Sequence, residues 1–295
     1  MAPRRPPAWA RSVVRAGNRV GATPVDPGAR LRSLGRGHAS LEDAVRGKVV
    51  LVTGASSGIG RASALRLGRA GATVLVVART PEALDEVVAE IAASGGHAEA
   101  YPCDLSDLDA IDALVGAVLA AHGAVDVLVN NAGKSIRRRI SKSVDRFQDF
   151  TRPMQLNYFG SVRLTLGLLP EMIASGSGQV VNISTWAVTV RPPRFSGYVA
   201  SKAALEAWSD SVQAELLDSG VVFTTIRMPL VRTPMIAPTA FYKNLPAISA
   251  EEAGKVVTDA IVSRSRRVTP LAATVPSVID ALSPRLGDRV RRLAP

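Results

Sequence analysis

The sequence predicts an α/β protein: a single doubly wound parallel sheet with helices on both faces. Three observations carry the prediction. From Lys48 onward, short β-branched apolar runs alternate with longer stretches at helical spacing. The first run ends in a glycine-rich turn that opens a helical pattern. Polar residues gather just past the ends of the later runs, where ligands bind in sheets of this kind.

The elements follow in order. Val49–Val52, Thr73–Val77, Ala98–Tyr101, Val125–Val129, Gln179–Ile183 and Val221–Ile226 are brief and mostly apolar throughout, as strands buried on both faces are. Between them, residues 58–70, 81–93, 107–122, 146–174 and 198–218 carry Ala, Leu, Glu and Arg at helical spacing. Strand, helix, strand in repetition means parallel strands joined by right-handed crossovers. Residues 1–45 mix Pro, Gly and Arg without a lasting period and read as a flexible basic extension, leaving 46–270 as the nucleotide-binding domain. Beyond it, residues 271–295 set Leu271, Val275, Val278, Ile279, Leu282, Leu286, Val290 and Leu293 among Pro and Arg. That pattern is a basic amphipathic tail, suited either to a membrane surface or to packing on its own domain or a partner subunit.

Composition narrows the functions. With 295 residues, 47% of them hydrophobic, the chain has ample core for one large α/β domain. The net charge of +11 sits at the ends: residues 1–46 carry +6, residues 264–295 carry +5, and the rest sums to zero. A basic face for nucleic acid is not expected from that distribution. Basic ends on a neutral core suit solvated tails, or peripheral contact with an anionic membrane. No apolar run is long enough to span a bilayer, and the lone Cys103 offers neither a disulfide nor a metal cluster, so a reducing, cytoplasmic setting is expected.

The strand ends carry the chemistry. After the first come Thr53, Gly54, Ala55, Ser56, Ser57, Gly58, Ile59 and Gly60, whose glycines let backbone approach a pyrophosphate at a helix N-terminus, as in Rossmann-type folds. After the second, Arg79 stands where an NAD-binding chain would place an acid, and its guanidinium suits a 2′-phosphate, favouring NADP. Asp104 follows the third strand, either beside the adenine or as a helix cap ahead of Asp107 and Asp109. Asn130, Asn131, Ala132 and Gly133 follow the fourth. Further on, Tyr198 and Lys202 form an i,i+4 pair at the start of a helix, where an ammonium would favour phenolate and ready the phenol for proton transfer.

Thr-Gly-x3-Gly-x-Gly, Asn-Asn-Ala-Gly and Tyr-x3-Lys in this order resemble the short-chain dehydrogenase/reductase family across roughly residues 47–270. The resemblance implies that Lys202 holds the nicotinamide ribose and that Tyr198 passes a proton to a carbonyl oxygen as hydride arrives. It also implies a hydroxyl from the fifth strand end on that oxygen; Thr185 stands at the position, with Ser184 as the alternative. Asn157 matches a helix Asn that in relatives orders a water leading to the lysine. Where relatives have Pro-Gly, this chain has Pro229-Leu230, followed by Val231, Arg232 and Thr233 beside the nicotinamide carboxamide. Because Leu does not take φ > 0 readily, a different backbone course is expected there. Family members are often dimers or tetramers, so a homo-oligomer is implied.

Residues 130–139, 154–160, 194–196 and 228–239 further resemble the reductase domain of bacterial fatty acyl-CoA reductases. That resemblance implies an acyl thioester or another hydrophobic carbonyl as substrate. Apolar residues from Met235 to Leu245, with Phe241 and Tyr242 among them, would make a lid. Arg137, Arg138, Arg139, Arg191 and Arg194 would either meet coenzyme A phosphates or lie solvated.

Overall fold

The computed structural model describes residues 23–24, 40–237, 242, 245–270 and 283–293. Its centre is a sheet in the order β1-β8-β7-β6-β5-β2-β3-β4. The six expected strands are β2 (Val49–Thr53), β3 (Thr73–Ala78), β4 (His97–Pro102), β5 (Val127–Asn130), β6 (Gly178–Thr185) and β7 (Val221–Met228). All of them pair in parallel. β8 (Arg267–Thr269) extends the parallel sheet beside β7, and β1 (Thr23–Pro24) pairs antiparallel with β8 at the edge. These two are too short to leave a period in the sequence.

β2 lies between β3 and β5, so the strand order reverses there, and the crevice at the carboxyl ends of these strands is the place for a ligand. Strand alternation builds two cores. Val50, Val52, Val74, Val76, Val129 and Val181 face one side; Leu51, Leu75, Val77, Leu128 and Val180 face the other.

On the first side pack α1 (Leu41–Val45), α2 (Gly58–Arg69), α3 (Pro81–Ala93) and α9 (Ala250–Ser263). α1 lies inside the stretch read as a flexible extension. Ser40 and Asp43 form a capping box on it and Val45 is fully buried, so the folded domain takes in residues before 46. The other residues of that extension, 1–22 and 25–39, lie outside the described residues. α9 was not expected, although Ser249 and Glu252 write a capping box ahead of its buried Ala253, Val257, Ala260 and Ile261. Of the C-terminal tail, Pro284–Leu293 is helical (α10), whereas Leu271, Val275, Val278, Ile279 and Leu282 lie outside the described residues.

The second side holds α4 (Leu108–His122), α6 (Ser161–Ala174) and α8 (Ser196–Glu215). The single helix expected over 146–174 is divided: α5 (Gln148–Met154) runs into a π-helical turn, Gln155–Gly160, before α6. The space available at Gly160 accounts for the fit, since a Cβ there would fall 2.1 Å from the Leu105 carbonyl oxygen. π-turns inside helices are frequent at functional sites, and this one carries Asn157. A short α7 (Ala187–Val190) follows β6. No described helix is long and apolar enough to cross a membrane.

Candidate active site

The glycine-rich turn after β2 is shaped from below by Thr53, the first residue of its motif. The Thr53 hydroxyl donates to the Val129 carbonyl at 3.1 Å and accepts the backbone N–H groups of Asn131 and Ala132, each at 2.9 Å. Asn131 returns the connection, its amide donating to the carbonyls of Thr53 and Gly54 at 2.8 and 3.2 Å. The ends of β2 and β5 are therefore one hydrogen-bonded unit. Gly54 has φ +63°, and a Cβ on Gly60 would stand 2.3 Å from the Gly54 carbonyl oxygen. Ser57, at the N-cap of α2, makes no side-chain cap bond, so the first N–H groups of the helix, from Gly58 to Gly60, point outward unclaimed by it. A close-approaching backbone at an uncapped helix start fits a pyrophosphate.

The segment after β7 folds onto the same turn. A Cβ on Gly58 would fall 2.9 Å from the Thr233 methyl. Leu230 has no positive φ, its carbonyl accepts Ile248 N–H at 3.0 Å, and Val231 bridges to Ile248. Arg232 then donates to the carbonyls of Tyr242 and Leu245 at 3.1 and 2.7 Å. Pro229, Val231 and Thr233 all lie along this edge; Pro238, Thr239 and Phe241 lie outside the described residues.

Arg79 is exposed at the end of β3, and no hydrogen bond or ion pair holds it among the described residues. Asp104 closes a turn by accepting Ser106 N–H at 2.9 Å, and it is Asp107 that caps α4.

Tyr198 and Lys202 lie one turn apart in the first turns of α8. The Lys202 ammonium, 3% exposed, donates to the Ile183 carbonyl at 2.7 Å. Burial pushes its pKa down to about 8, with Glu206 acting in the opposite sense. Burial also pushes the Tyr198 phenol up to about 12, against a hydrogen bond from Thr185 that acts to lower it and Tyr242 that adds to the rise. In the cofactor-free chain, burial thus favours the protonated phenol. Gly133 brings its loop close to this pair, since a Cβ there would sit 3.5 Å from the Lys202 nitrogen.

The two candidate hydroxyls separate clearly. Thr185, 9% exposed, meets the Tyr198 phenol and accepts Ala187 N–H at 3.2 Å. Ser184, one residue earlier and turned to the opposite side by strand alternation, donates to Glu206 at 2.5 Å. Asn157, fully buried, accepts Lys134 N–H at 2.7 Å and donates to the Lys134 carbonyl and the Ser201 hydroxyl at 3.0 and 2.9 Å. Its amide thus braces the Gly133 loop against α8.

The arginines also separate. Arg138 pairs with buried Asp149 at 2.7 Å. Arg137 lies 5.9 Å from the Phe195 ring centre, and Phe195 meets Tyr198 edge-on at 6.5 Å, which places a guanidinium one aromatic ring from the phenol. Arg194 takes φ +76° and its carbonyl accepts Arg138 N–H at 2.8 Å; burial, Arg137 and Arg139 all lower its pKa.

The short chain dehydrogenase family profile matches residues 48–241, and the chain belongs to that family. It is therefore an oxidoreductase of the class that works with a nicotinamide dinucleotide. Among its relatives, a fatty acyl-CoA reductase of Acinetobacter baylyi is 52% identical over 250 residues, covering 85% of each chain. A fatty acyl-CoA reductase of Mycobacterium tuberculosis is 46% identical over 240 residues, covering 81% of this chain and 82% of the relative. Among solved structures, a metagenomic short-chain oxidoreductase in complex with NADP superposes with TM-score 0.65 at 34% identity, covering 74% of this chain and 92% of that one. A short-chain dehydrogenase from Streptomyces avermitilis gives 0.70 at 33% identity, covering 83% and 97%.

Proposed function

We propose that the protein is an NADPH-dependent reductase of a long-chain fatty acyl-CoA or fatty aldehyde. The observation that carries the chemistry is the hydrogen-bonded pair of Thr185 and Tyr198 hydroxyls, with the buried Lys202 ammonium one turn further along α8. The substrate class is supported by the 52% identity to a fatty acyl-CoA reductase across 85% of both chains. Exposed Arg79 at the end of β3, where no acid stands, favours a 2′-phosphorylated nucleotide.

When bound, the cofactor supplies hydride to the carbonyl carbon. Gly54, Ser56, Ser57, Gly58, Ile59 and Gly60 would line its pyrophosphate, and Arg79 and Asp104 the adenosine end. Asn131, Ala132 and Gly133, with Lys202, would line the ribose. Pro229, Val231 and Thr233 would meet the carboxamide. Thr185, its oxygen already occupied by Ala187 N–H, would turn its one proton from the Tyr198 oxygen to the substrate carbonyl oxygen. Tyr198 gives that oxygen its phenolic proton, and the Lys202 ammonium, one turn away on α8, would offset the charge left behind. From a thioester the product of this step is a thiohemiacetal, which breaks its C–S bond to give aldehyde and free thiol. Each methylene of an acyl chain buried beneath the segment around Tyr242 would add about 0.8 kcal/mol to binding.

The test is incubation with NADPH and a long-chain acyl-CoA, with mass spectrometry for aldehyde and alcohol. Turnover confined to small ketones would overturn the substrate reading while leaving the reductase class intact. NADPH binding without turnover of any carbonyl would point to a binding protein.

A further inference from the structure

One buried carboxylate within reach of the catalytic helix has no part in the chemistry above. Glu206 is 5% exposed and lies one helical turn beyond Lys202 on α8. Its Oε1 accepts the Ser184 hydroxyl at 2.5 Å and Arg227 Nε at 3.2 Å; its Oε2 accepts Arg227 Nε and Nη2 at 3.1 and 2.6 Å. Ser184 and Arg227 are register partners on β6 and β7, so the carboxylate ties two strand ends to the helix that carries Tyr198 and Lys202. A ring of contacts results: Lys202 to the Ile183 carbonyl, along the strand to Ser184, across to Glu206 and back up one turn of α8. Thr185 is the next residue on that strand.

We propose that Glu206 is a positioning residue of the active site, clamped by Ser184 and Arg227 so that its carboxylate keeps the Lys202 ammonium charged and holds the end of β6 against α8. Removing one member of a buried ion pair is strongly unfavourable, so a purely structural pair would be replaceable only by another packed pair. A pair that also serves Lys202 shows itself in the protonation of that lysine. Around Lys202 stand the Ile183 carbonyl of β6 and the neutral Gly133, with Glu206 the charge that acts on it from one turn further along α8 and Tyr198 one turn earlier on that helix. Glu206 is held by Ser184 and Arg227, with Lys202 one turn back along α8; Asp210, a further turn along α8, is engaged by Arg267 at 2.5 Å.

The functional meaning rests on the reductase reading, but the test needs no substrate. Lys202 has a folded pKa of about 8 against its ordinary 10.5. At pH values between the two, the unfolded chain holds a proton that the folded chain has released. Its contribution to stability is therefore present above 10.5 and is lost as pH falls to about 8. Thermal unfolding of the nucleotide-free protein from pH 6 to 10.5, with the Lys202→Met curve subtracted, locates the lower edge of that window.

In Glu206→Gln, referenced to Glu206→Gln/Lys202→Met, the edge is expected to move down by roughly one pH unit. Arg227→Gln leaves the carboxylate less neutralised and is expected to move it up, and Glu206→Asp to keep it near its original place. Opposite shifts from two variants that both break the same ion pair are not produced by loosened packing. Should Glu206→Gln fail to fold, Arg227→Gln decides. An edge that stays in place, or moves the same way in both variants, overturns the proposal. Because acyl-CoA turnover is not measured, its failure would be separate from failure of the substrate reading.

Discussion

Ser184 and Thr185, neighbours on β6, are committed to different partners: the first donates to buried Glu206 at 2.5 Å, the second meets the Tyr198 phenol. Strand alternation allows only one of them to face a substrate carbonyl beside Tyr198. Thr185→Ala is expected to lower kcat about 10²- to 10³-fold, the usual loss for one oxyanion donor, with little change in melting temperature. Ser184→Ala should do the reverse, leaving kcat within a few-fold and lowering stability by about 1–3 kcal/mol, because a buried carboxylate loses a donor. Thr185→Ser should restore most of the rate. Steady-state kinetics and thermal melts of the three variants separate the roles.

The Tyr198 phenol is pushed up to about 12 from its ordinary 10. Below pH 10 it is protonated in the folded and the unfolded chain alike. Between 10 and 12 only the unfolded chain gives up the proton, so the contribution present below 10 is lost as pH rises toward 12. Tyr198→Phe is expected to lose that alkaline slope in denaturant titrations and to abolish carbonyl reduction. Turnover unchanged in Tyr198→Phe would show that another group donates the proton.

Arg79 makes the cofactor choice testable without any knowledge of the substrate. Arg79→Asp is expected to weaken NADPH by roughly 100-fold, the scale of losing a charge-assisted contact of about 1.5–3 kcal/mol, while changing NADH far less. Nucleotide fluorescence titrations read both. Equal loss for the two cofactors would mean that the guanidinium does not recognise the 2′-phosphate.

Arg232 holds the carbonyls of Tyr242 and Leu245, and Tyr242 lies near enough to Tyr198 to oppose its ionisation. Arg232→Ala is therefore expected to raise KM for a hydrophobic carbonyl substrate by roughly three- to tenfold, the range of one modest hydrogen bond, while KM for NADPH stays the same. A change in both constants together would place the effect on the cofactor side of the cleft.

Much of the fold was legible because its signals are local. β-branched runs, helical spacing and the glycines at 54, 58 and 60 each depend on a few consecutive residues, and they located six strands and the glycine-rich turn. α1 and α9 went unread although both open with capping boxes; α1 has only five residues and one buried apolar side chain, whereas the 14 residues of α9 carry a readable apolar face. The π-turn at Gln155–Gly160 left no periodic trace, since one widened turn shifts the helical phase only slightly. Glu206 had a readable signal, a carboxylate four residues after Lys202, but nothing local indicates that Arg227 would meet it.

By itself the sequence determined the doubly wound sheet, the glycine-rich turn after its first long strand, and the places of Tyr198 and Lys202 at a helix start, with Thr185 and Ser184 left as alternatives at a strand end. Only the tertiary structure decided how those groups are charged and which way they face. Burial of Tyr198 leaves its phenol protonated, the Ile183 carbonyl takes the Lys202 ammonium, and Glu206 engages Ser184, leaving Thr185 beside the phenol. Desolvation and hydrogen bonding act between residues far apart in the chain, so they enter only when β6, β7 and α8 pack together.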